Sequence, residues 1–309
     1  MLGPQDVGHR VVVRRIVAVR GNRPQYSDVL GELVGYDESG VTVAARHGIE
    51  RIEHPRIHAA KRVPRSAREI AALERIADAA WPAPEVEPLG KWLLRAAAGF
   101  SNRANSALAL GAPGRPLDHA VAAVLDWYRA RDLPPRINVP LPLSATVDAA
   151  LAARGWTYPG ETLVLTAPLA RILGPGDGVP VELTEAPDPD WLAEVAGRKG
   201  GEPTAAHHVL TAVPAVRYAS VDGDVATARG AVVDGYLHLG LVAVAEPARR
   251  RGLARAVTRA LARWAVTEGA TTAFLQVEDA NQPARTLYDR LGFTLHHGYR
   301  TRWAPGTLG

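Results

Sequence analysis

Hydrophobic and polar positions change their period several times along the chain, and each change predicts an element. Residues 11–19, 27–37 and 40–52 are short β-branched runs divided by Gly, Asp and Asn, with Val41, Val43 and Ala45 on one side of an alternating strand. Such runs predict antiparallel strands with one buried face. From Ser66 the period lengthens: Ile70, Leu73, Ile76 and Ala77 share a helical face, Ser66 and Glu69 form a capping box, and Trp81-Pro82 stops the helix. An α/β alternation follows, with a strand at 92–98, a polar stretch at 100–108, a helix at 117–131, a strand at 136–139, a helix at 145–154 and a strand at 162–166. The glycine-rich stretch 174–178 marks a boundary.

Beyond it the pattern restarts. A short strand at 181–183 and a helix at 189–196 precede loop and helix at 202–208. Strands at 216–221, 225–233 and 235–244 then form a meander, turned by Asp222-Gly223-Asp224 and Asp234-Gly235. Leu253, Val257, Leu261 and Trp264 stand at helical spacing up to Gly269. A strand at 273–277, a helix from Pro283 to Gly292, and a pair of strands at 293–297 and 299–303 complete the chain. The alternation predicts a mixed, mostly antiparallel sheet flanked by helices, an α+β fold with α/β character.

Composition narrows the function classes. The 309 residues suit two or three domains, and 47% are hydrophobic. With no apolar run of about eighteen residues and no apolar core behind a basic N-terminus, the expected setting is cytoplasmic, with no membrane partner. There is no cysteine, which excludes thiolate nucleophiles, disulfides and cysteine-held metals. No metal is expected. Residues 1–68 hold twelve Arg or Lys against seven Asp or Glu, and the remaining residues 24 against 25, so the basic excess sits at the N-terminus. That segment resembles SH3-like barrels in length and strand spacing, which implies a docking module. Nucleic acid is a weaker expectation through residues 1–63, since aromatic interleaving is sparse.

The stretch 237–255, LHLGLVAVAEPARRRGLAR, orders an apolar strand, a proline break, three arginines and the start of a helix. Unpaired amides of a first helical turn, with the helix dipole behind them, hold an anion such as a diphosphate. Neither G-x-x-x-x-G-K-[ST] nor G-x-G-x-x-G is present.

Two blocks identify the family that residues 180–303 resemble. The strand Val242, Ala243, Val244 precedes R-x-x-G-x-A at Arg249, Gly252 and Ala254, and about thirty residues later comes N-x-x-A-x-x-L-Y-x-x-x-G-F at Asn281, Ala284, Leu287, Tyr288, Gly292 and Phe293. Together they resemble the GNAT (GCN5-related) N-acetyltransferases. The resemblance implies the GNAT fold, acetyl-CoA as cofactor and a primary amine as acceptor. It implies that Val242, Ala243 and Val244 splay from the neighbouring strand to take the pantetheine arm. Arg249, Arg250, Arg251, Gly252, Leu253, Ala254 and Arg255 would take the pyrophosphate, although the family's last loop glycine is Ala254 here. Asn281 would hydrogen-bond the pantetheine or cap its helix, and Tyr288 would act as general acid toward the CoA thiolate. His238, where several members carry a glutamate, is the candidate base, with a structural strand histidine as the competing reading. His207-His208 and His296-His297 could line the acceptor pocket, but are expected as polar residues in loops or at an edge strand; Arg229 could meet a substrate carboxylate, but is expected at the surface.

Arg154-Gly155-Trp156 aligns with Leu291-Gly292-Phe293 at a separation of about 137 residues, with a strand and a helix before each. A second, degenerate GNAT-like half is therefore expected, lacking R-x-x-G-x-A and carrying Leu151 where the other half has Tyr288. The expected division is 1–64 for the barrel, 65–173 for the degenerate half and 179–309 for the catalytic half. The whole resembles a group of actinobacterial acetyltransferases, some regarded as N-acetylglutamate synthases, which implies glutamate or another small amino acid as acceptor. Protein lysine, a non-catalytic CoA-binding sensor, a nucleic-acid-associated role and a homodimer remain open alternatives.

Overall fold

The computed structural model describes residues 2–21, 23–45, 47–174, 178–223 and 225–306. Part of the 174–178 boundary and of the Asp222-Gly223-Asp224 turn lies outside them. The chain divides into two compact units, Met1–Arg65 with Phe293–Leu295, and Ser66–Gly292 with His296–Gly309.

The smaller unit is one antiparallel sheet of five strands, β1 (Arg10–Arg20), β2 (Arg23–Asp37), β3 (Gly40–Ala45), β4 (Gly48–Glu53) and β5 (Ile57–Arg62), in the order β4-β3-β2-β1-β5. Val11, Val13, Val29, Leu33, Val41, Val43 and Ile52 form its core, on the face that the alternation predicts. The run 40–52 is two strands rather than one, and β5 has no counterpart in the predicted set. Among the described residues β4 and β5 do not pair, and they stand at the two edges of the sheet.

The larger unit opens with α1 (Ala67–Ala79), whose Ser66 and Glu69 make the predicted reciprocal cap. It then runs β6 (Glu85–Leu89), β7 (Trp92–Ala96), β8 (Ala107–Leu108), α2 (Leu117–Arg129), β9 (Arg136–Leu141), α3 (Ala145–Ala153), β10 (Glu161–Pro168) and α4 (Leu169–Ile172). After these come β11 (Glu182–Thr184), α5 (Pro189–Lys199), α6 (Pro203–Thr211), β12 (Val216–Val221), β13 (Ala226–Val233), β14 (Tyr236–Val244), α7 (Leu253–Thr267), β15 (Thr272–Glu278), α8 (Gln282–Arg290) and, from His296 onward, β16 (Thr294–Trp303).

The repeat is visible in the elements themselves. α3 and α8 begin at 145 and 282 and end at 153 and 290, an offset of 137 at both ends, and α2 and β9 shifted by the same amount fall on α7 and β15 within one residue. Gly155 (φ 77°) and Gly292 (φ 84°) follow the matching helices in the left-handed conformation that ends a helix most cheaply with glycine. The two repeats exchange a strand. β10 lies antiparallel to β15, from Thr162↔Glu278 to Pro168↔Thr272, while β16 lies antiparallel to β9, from Gly298↔Leu141 to Trp303↔Arg136. One sheet of eleven strands results, ordered β11-β12-β13-β14-β15-β10-β16-β9-β8-β7-β6.

β16 corrects the predicted pair of strands at 293–297 and 299–303. Gly298 is not a break but a ladder residue, and a Cβ there would meet Glu161 Oε1 at 2.6 Å. One hydrophobic cluster, around Trp92, Leu94, Val124, Tyr128 and Leu151, fills the first repeat. Another, around Trp81, Phe100, Trp191, Val209 and Tyr218, joins the first repeat to α5 and α6.

Candidate active site

β14 and β15 pair in parallel only from Tyr236↔Thr272 to Leu239↔Leu275. β14 continues along β13, where Arg229 faces Gly240 but Thr227 faces Ala243, so β14 carries one extra residue. Leu241 takes it up at φ 55°, a β-bulge that bends the strand away from β15. The backbone of Gly240–Val244 therefore has no strand partner on the β15 side, and Gly240 and Leu241 border a cleft. Val242, Ala243 and Val244, which continue the strand, are half-buried and outside the lining of that cleft.

Past β14 a 3-10 turn (Glu246–Ala248) leads into the basic loop. Arg250 (φ 67°) and Gly252 (φ 81°) are both left-handed, and the Ala256 amide makes the first helical bond of α7, 3.0 Å to the Gly252 carbonyl. Left-handed residues in a turn gather successive N–H groups into an anion-binding concavity, and the helix N-terminus behind it adds partial positive charge. Arg249 faces outward in a loose ion pair with Glu246 at 3.8 Å, as an exposed side chain does. The backbone thus makes the seat and the arginines raise the field around it. Alanine at Gly252 meets nothing closer than the movable end of Arg255 at 3.3 Å, so its cost is the left-handed backbone alone. Gly252→Ala is expected to lower stability by about 1 kcal/mol, read as a fall in the thermal midpoint, together with weaker CoA binding.

A cavity of about 710 Å³ lies at the cleft, lined by both repeats. Leu239, Gly240 and Leu241 of β14, Gln276 and Glu278 of β15, and Tyr299, Thr301 and Trp303 of β16 form much of its wall. Trp81 and Arg103 come from the first repeat, and Arg198 and Lys199 from the end of α5.

His238 is the predicted site residue that this cavity contains. It is 2% exposed, stacks on Phe274 at 5.0 Å and meets the Trp81 ring edge-on at 6.0 Å. Its Nε2–H donates to Gln276 Oε1 at 3.0 Å, which makes Nδ1 the lone-pair nitrogen of the neutral ring. Nδ1 is buried with no protein partner. Burial, followed by the positive charges of Arg103 and Arg229, holds the imidazole well below its usual range, so it is an uncharged proton acceptor at neutral pH.

Tyr288 and Asn281 sit on the α8 side, where Asp279, Ala280 and Gln282 reach the cavity lining. Tyr288 is 7% exposed, and burial pushes its hydroxyl up to about 12, which keeps it protonated at neutral pH. Asn281 caps α8, its Oδ1 accepting from the Ala284 amide at 3.2 Å.

Several expectations need correction. Arg229 is fully buried rather than at the surface. Its Nε and Nη1 donate to the Leu210 and Ala80 carbonyls at 2.8 and 3.2 Å, and it stands over Trp81 at 5.3 Å. Burial without a carboxylate beside it lowers its pKa to about 10. His297 is not at an edge. It lies in the central strand β16, buried, with Nε2 2.8 Å from Glu74 Oε1 and Nδ1 2.8 Å from His296. His207 and His208 are exposed on α6 rather than in a loop. Among the described residues no group of three or more His, Cys, Asp and Glu could hold a metal ion.

Trp81, Arg103, Lys199 and Gln276 escaped the sequence reading. Only the polar stretch around Arg103 gave a signal, and its role is structural as well. Ala98 (φ 44°), Gly99 (φ 89°) and Ser101 (φ 60°) are left-handed, a backbone that persists only where its surroundings over-determine it. The fully buried Asn105 does so: its Oδ1 accepts from Ala97 and Gly99 at 2.9 and 3.1 Å, and its Nδ2 donates to Phe100 and Ser101 at 2.8 and 2.9 Å. Gly201 presses on the other side, where a Cβ would stand 2.1 Å from the Phe100 nitrogen.

Known proteins share this arrangement. The sequence profile of the family described as "Probable histone acetyltransferase Rv0428c C-terminal" matches residues 67–302. The "Probable histone acetyltransferase Rv0428c" of Mycobacterium tuberculosis is 31% identical over 97% of this chain and 96% of its own, and the "Uncharacterized N-acetyltransferase YobR" of Bacillus subtilis is 31% identical over 76% and 99%. Among solved structures, a GCN5-related N-acetyltransferase from Kribbella flavida superposes with a TM-score of 0.59 at 20% identity, covering 79% of this chain and 97% of its own. A tandem GNAT protein from the clavulanic acid biosynthesis pathway does so with a TM-score of 0.51 at 14% identity, covering 80% and 91%. The split strands, the nest before α7 and the doubled fold thus belong to an enzyme of known kind, and the chain is a member of the Rv0428c C-terminal family of GNAT N-acetyltransferases.

Proposed function

We propose that the protein transfers the acetyl group of acetyl-CoA directly to the primary amine of a small amino acid such as glutamate. The observation that carries this reading is the parting of β14 from β15 beyond Leu239 and Leu275 at a cavity lined by His238, whose neutral ring keeps an unpartnered Nδ1.

The residues present fit the cofactor: an unpartnered strand edge suits an amide-bearing arm, and the nest of Arg250 and Gly252 at a helix N-terminus suits a pyrophosphate. When bound, acetyl-CoA supplies an activated acetyl thioester. Val242, Ala243 and Val244 would hold its arm through their backbone, and the 249–255 loop its pyrophosphate. Asn281, already spent on its helix cap through Oδ1, keeps its Nδ2 donors for the arm. His238 Nδ1 takes a proton from the attacking amine, and Tyr288 delivers one to the departing sulfur. In this reading 179–309 is the catalytic half. Residues 65–173, with Leu151 in place of the tyrosine, build one wall of the acceptor site and do no chemistry. Residues 1–64 form a docking module.

A screen of thiol release with free amino acids, polyamines, amino sugars and peptides tests the proposal. Release dependent on a free amino acid is the expected result, and silence with every amine would refute it. A second reading, transfer to lysine in a protein, is supported by the carboxylates Glu161, Glu278 and Asp279 on the cavity wall and by the printed name of the mycobacterial relative. It predicts release with lysine peptides alone.

A further inference from the structure

The chemistry above leaves Arg103 unused. Its Nη1 is buried without a hydrogen-bond partner, its guanidinium lies 6.0 Å from the centre of the Trp81 ring, and it lines the cavity. We infer that Arg103 reads a carboxylate on the acceptor, so that the acceptor is an amine of the amino-acid class and its selection comes from the repeat that lacks the cofactor motif. This inference rests on the acetyltransferase reading.

Charge around the cavity decides between an anionic and a cationic acceptor. Formal charges on the wall balance, with Arg103, Arg198 and Lys199 against Glu161, Glu278 and Asp279. Their pairing does not. Glu161 already accepts from Arg300 at 3.2 Å and Asp279 from Arg285 at 2.8 Å, and Arg198 stands 3.9 Å from Glu194, which leaves Arg103 and Lys199 against Glu278; neither Arg103 nor Lys199 has a carboxylate at ion-pair distance among the described residues. Burial and the neighbouring Arg198 and Arg103 lower the Lys199 pKa, and the opposing charge of Glu278 does not offset them. The charge left over for a ligand is positive, and it lies on the Arg103 side. A guanidinium offers a carboxylate two parallel N–H groups, the geometry that buried recognition of this anion uses.

Position agrees with charge. Trp81 is the common neighbour: the His238 ring and the Arg103 guanidinium each stand 6.0 Å from its ring. A molecule whose amine and carboxylate are a few bonds apart could therefore address both. The Arg103 loop is also held rigid, since Trp81 Nε1 donates to Ser101 Oγ at 3.0 Å and the Glu202 amide to the Ala98 carbonyl at 3.1 Å. A loop so fixed presents its arginine at one distance, which a flexible surface side chain does not.

Calorimetric titration of the CoA-loaded protein with free amino acids and with 1,4-diaminobutane, alongside the thiol-release assay, tests the inference. At least one free amino acid should bind. Arg103→Gln should weaken that binding about 10- to 100-fold, Arg103→Lys should restore part of it, and CoA affinity should stay unchanged. Equal binding by Arg103→Gln and wild type, loss of CoA affinity in its place, or binding of the diamine with no amino acid would each overturn it. Thiol release with an amino acid that ignores Arg103→Gln would sink this inference and leave the acetyl transfer standing. Arg103-dependent binding without thiol release from any amine would do the reverse.

Discussion

Replacing His238 with glutamine is expected to lower kcat by about 10²- to 10⁴-fold, the range of a positioned general base, with little change in acetyl-CoA affinity. The reasoning starts from what the ring can still do once its neighbours are counted. Nε2 is committed to Gln276, so only Nδ1 can receive a proton, and it faces no protein donor. Burial and the cations Arg103 and Arg229 oppose the imidazolium. The sign follows: with its pKa held well below 6.5, the base is already unprotonated at neutral pH, and the acid limb of kcat should lie below pH 6.5. His238→Gln should erase that limb. A variant that folds, shown by an unchanged thermal midpoint, and keeps both the wild-type kcat and the limb would remove His238 from the mechanism.

Local signals carried the second repeat, and long-range pairing hid the rest. R-x-x-G-x-A and N-x-x-A-x-x-L-Y are short because each serves one turn and one helix face, so the left-handed turn at Gly252 and the cap at Asn281 lie where the spacing puts them. The exchanged strands are another matter. Gly298 looked like a break because nothing near it in sequence says that Glu161 and Leu141 will pack beside it. Arg229 read as a surface residue because a charge within an apolar strand is usually solvated. Here the carbonyls of Leu210 and Ala80, 19 and 149 residues away, accept its donors. Arg103 was hidden for the same reason, since its cavity exists only when Trp81, α5 and β14 come together. Residues whose meaning is local were legible, and those whose environment is assembled by the repeat were not.

Tyr288→Phe provides the second large expected effect, a loss of about 10²- to 10⁴-fold in the single-turnover rate with CoA affinity nearly unchanged. In the proposed reaction the hydroxyl supplies a proton to the departing sulfur, and burial, by raising its pKa to about 12, keeps the proton in place through the whole neutral range. A free thiol has a reference pKa near 8.5, so the transfer runs uphill to a thiolate in water. It becomes useful where the bound thiolate would be kept from water, which would raise the thiol's pKa toward that of the tyrosine. Phenylalanine keeps the ring on α8 and removes the hydroxyl. The matching position in the first repeat, Leu151, is fully buried and has no proton to give, so residual turnover in Tyr288→Phe could not come from that half. A single-turnover rate unaltered by the substitution would take Tyr288 out of the chemistry and leave its burial as packing.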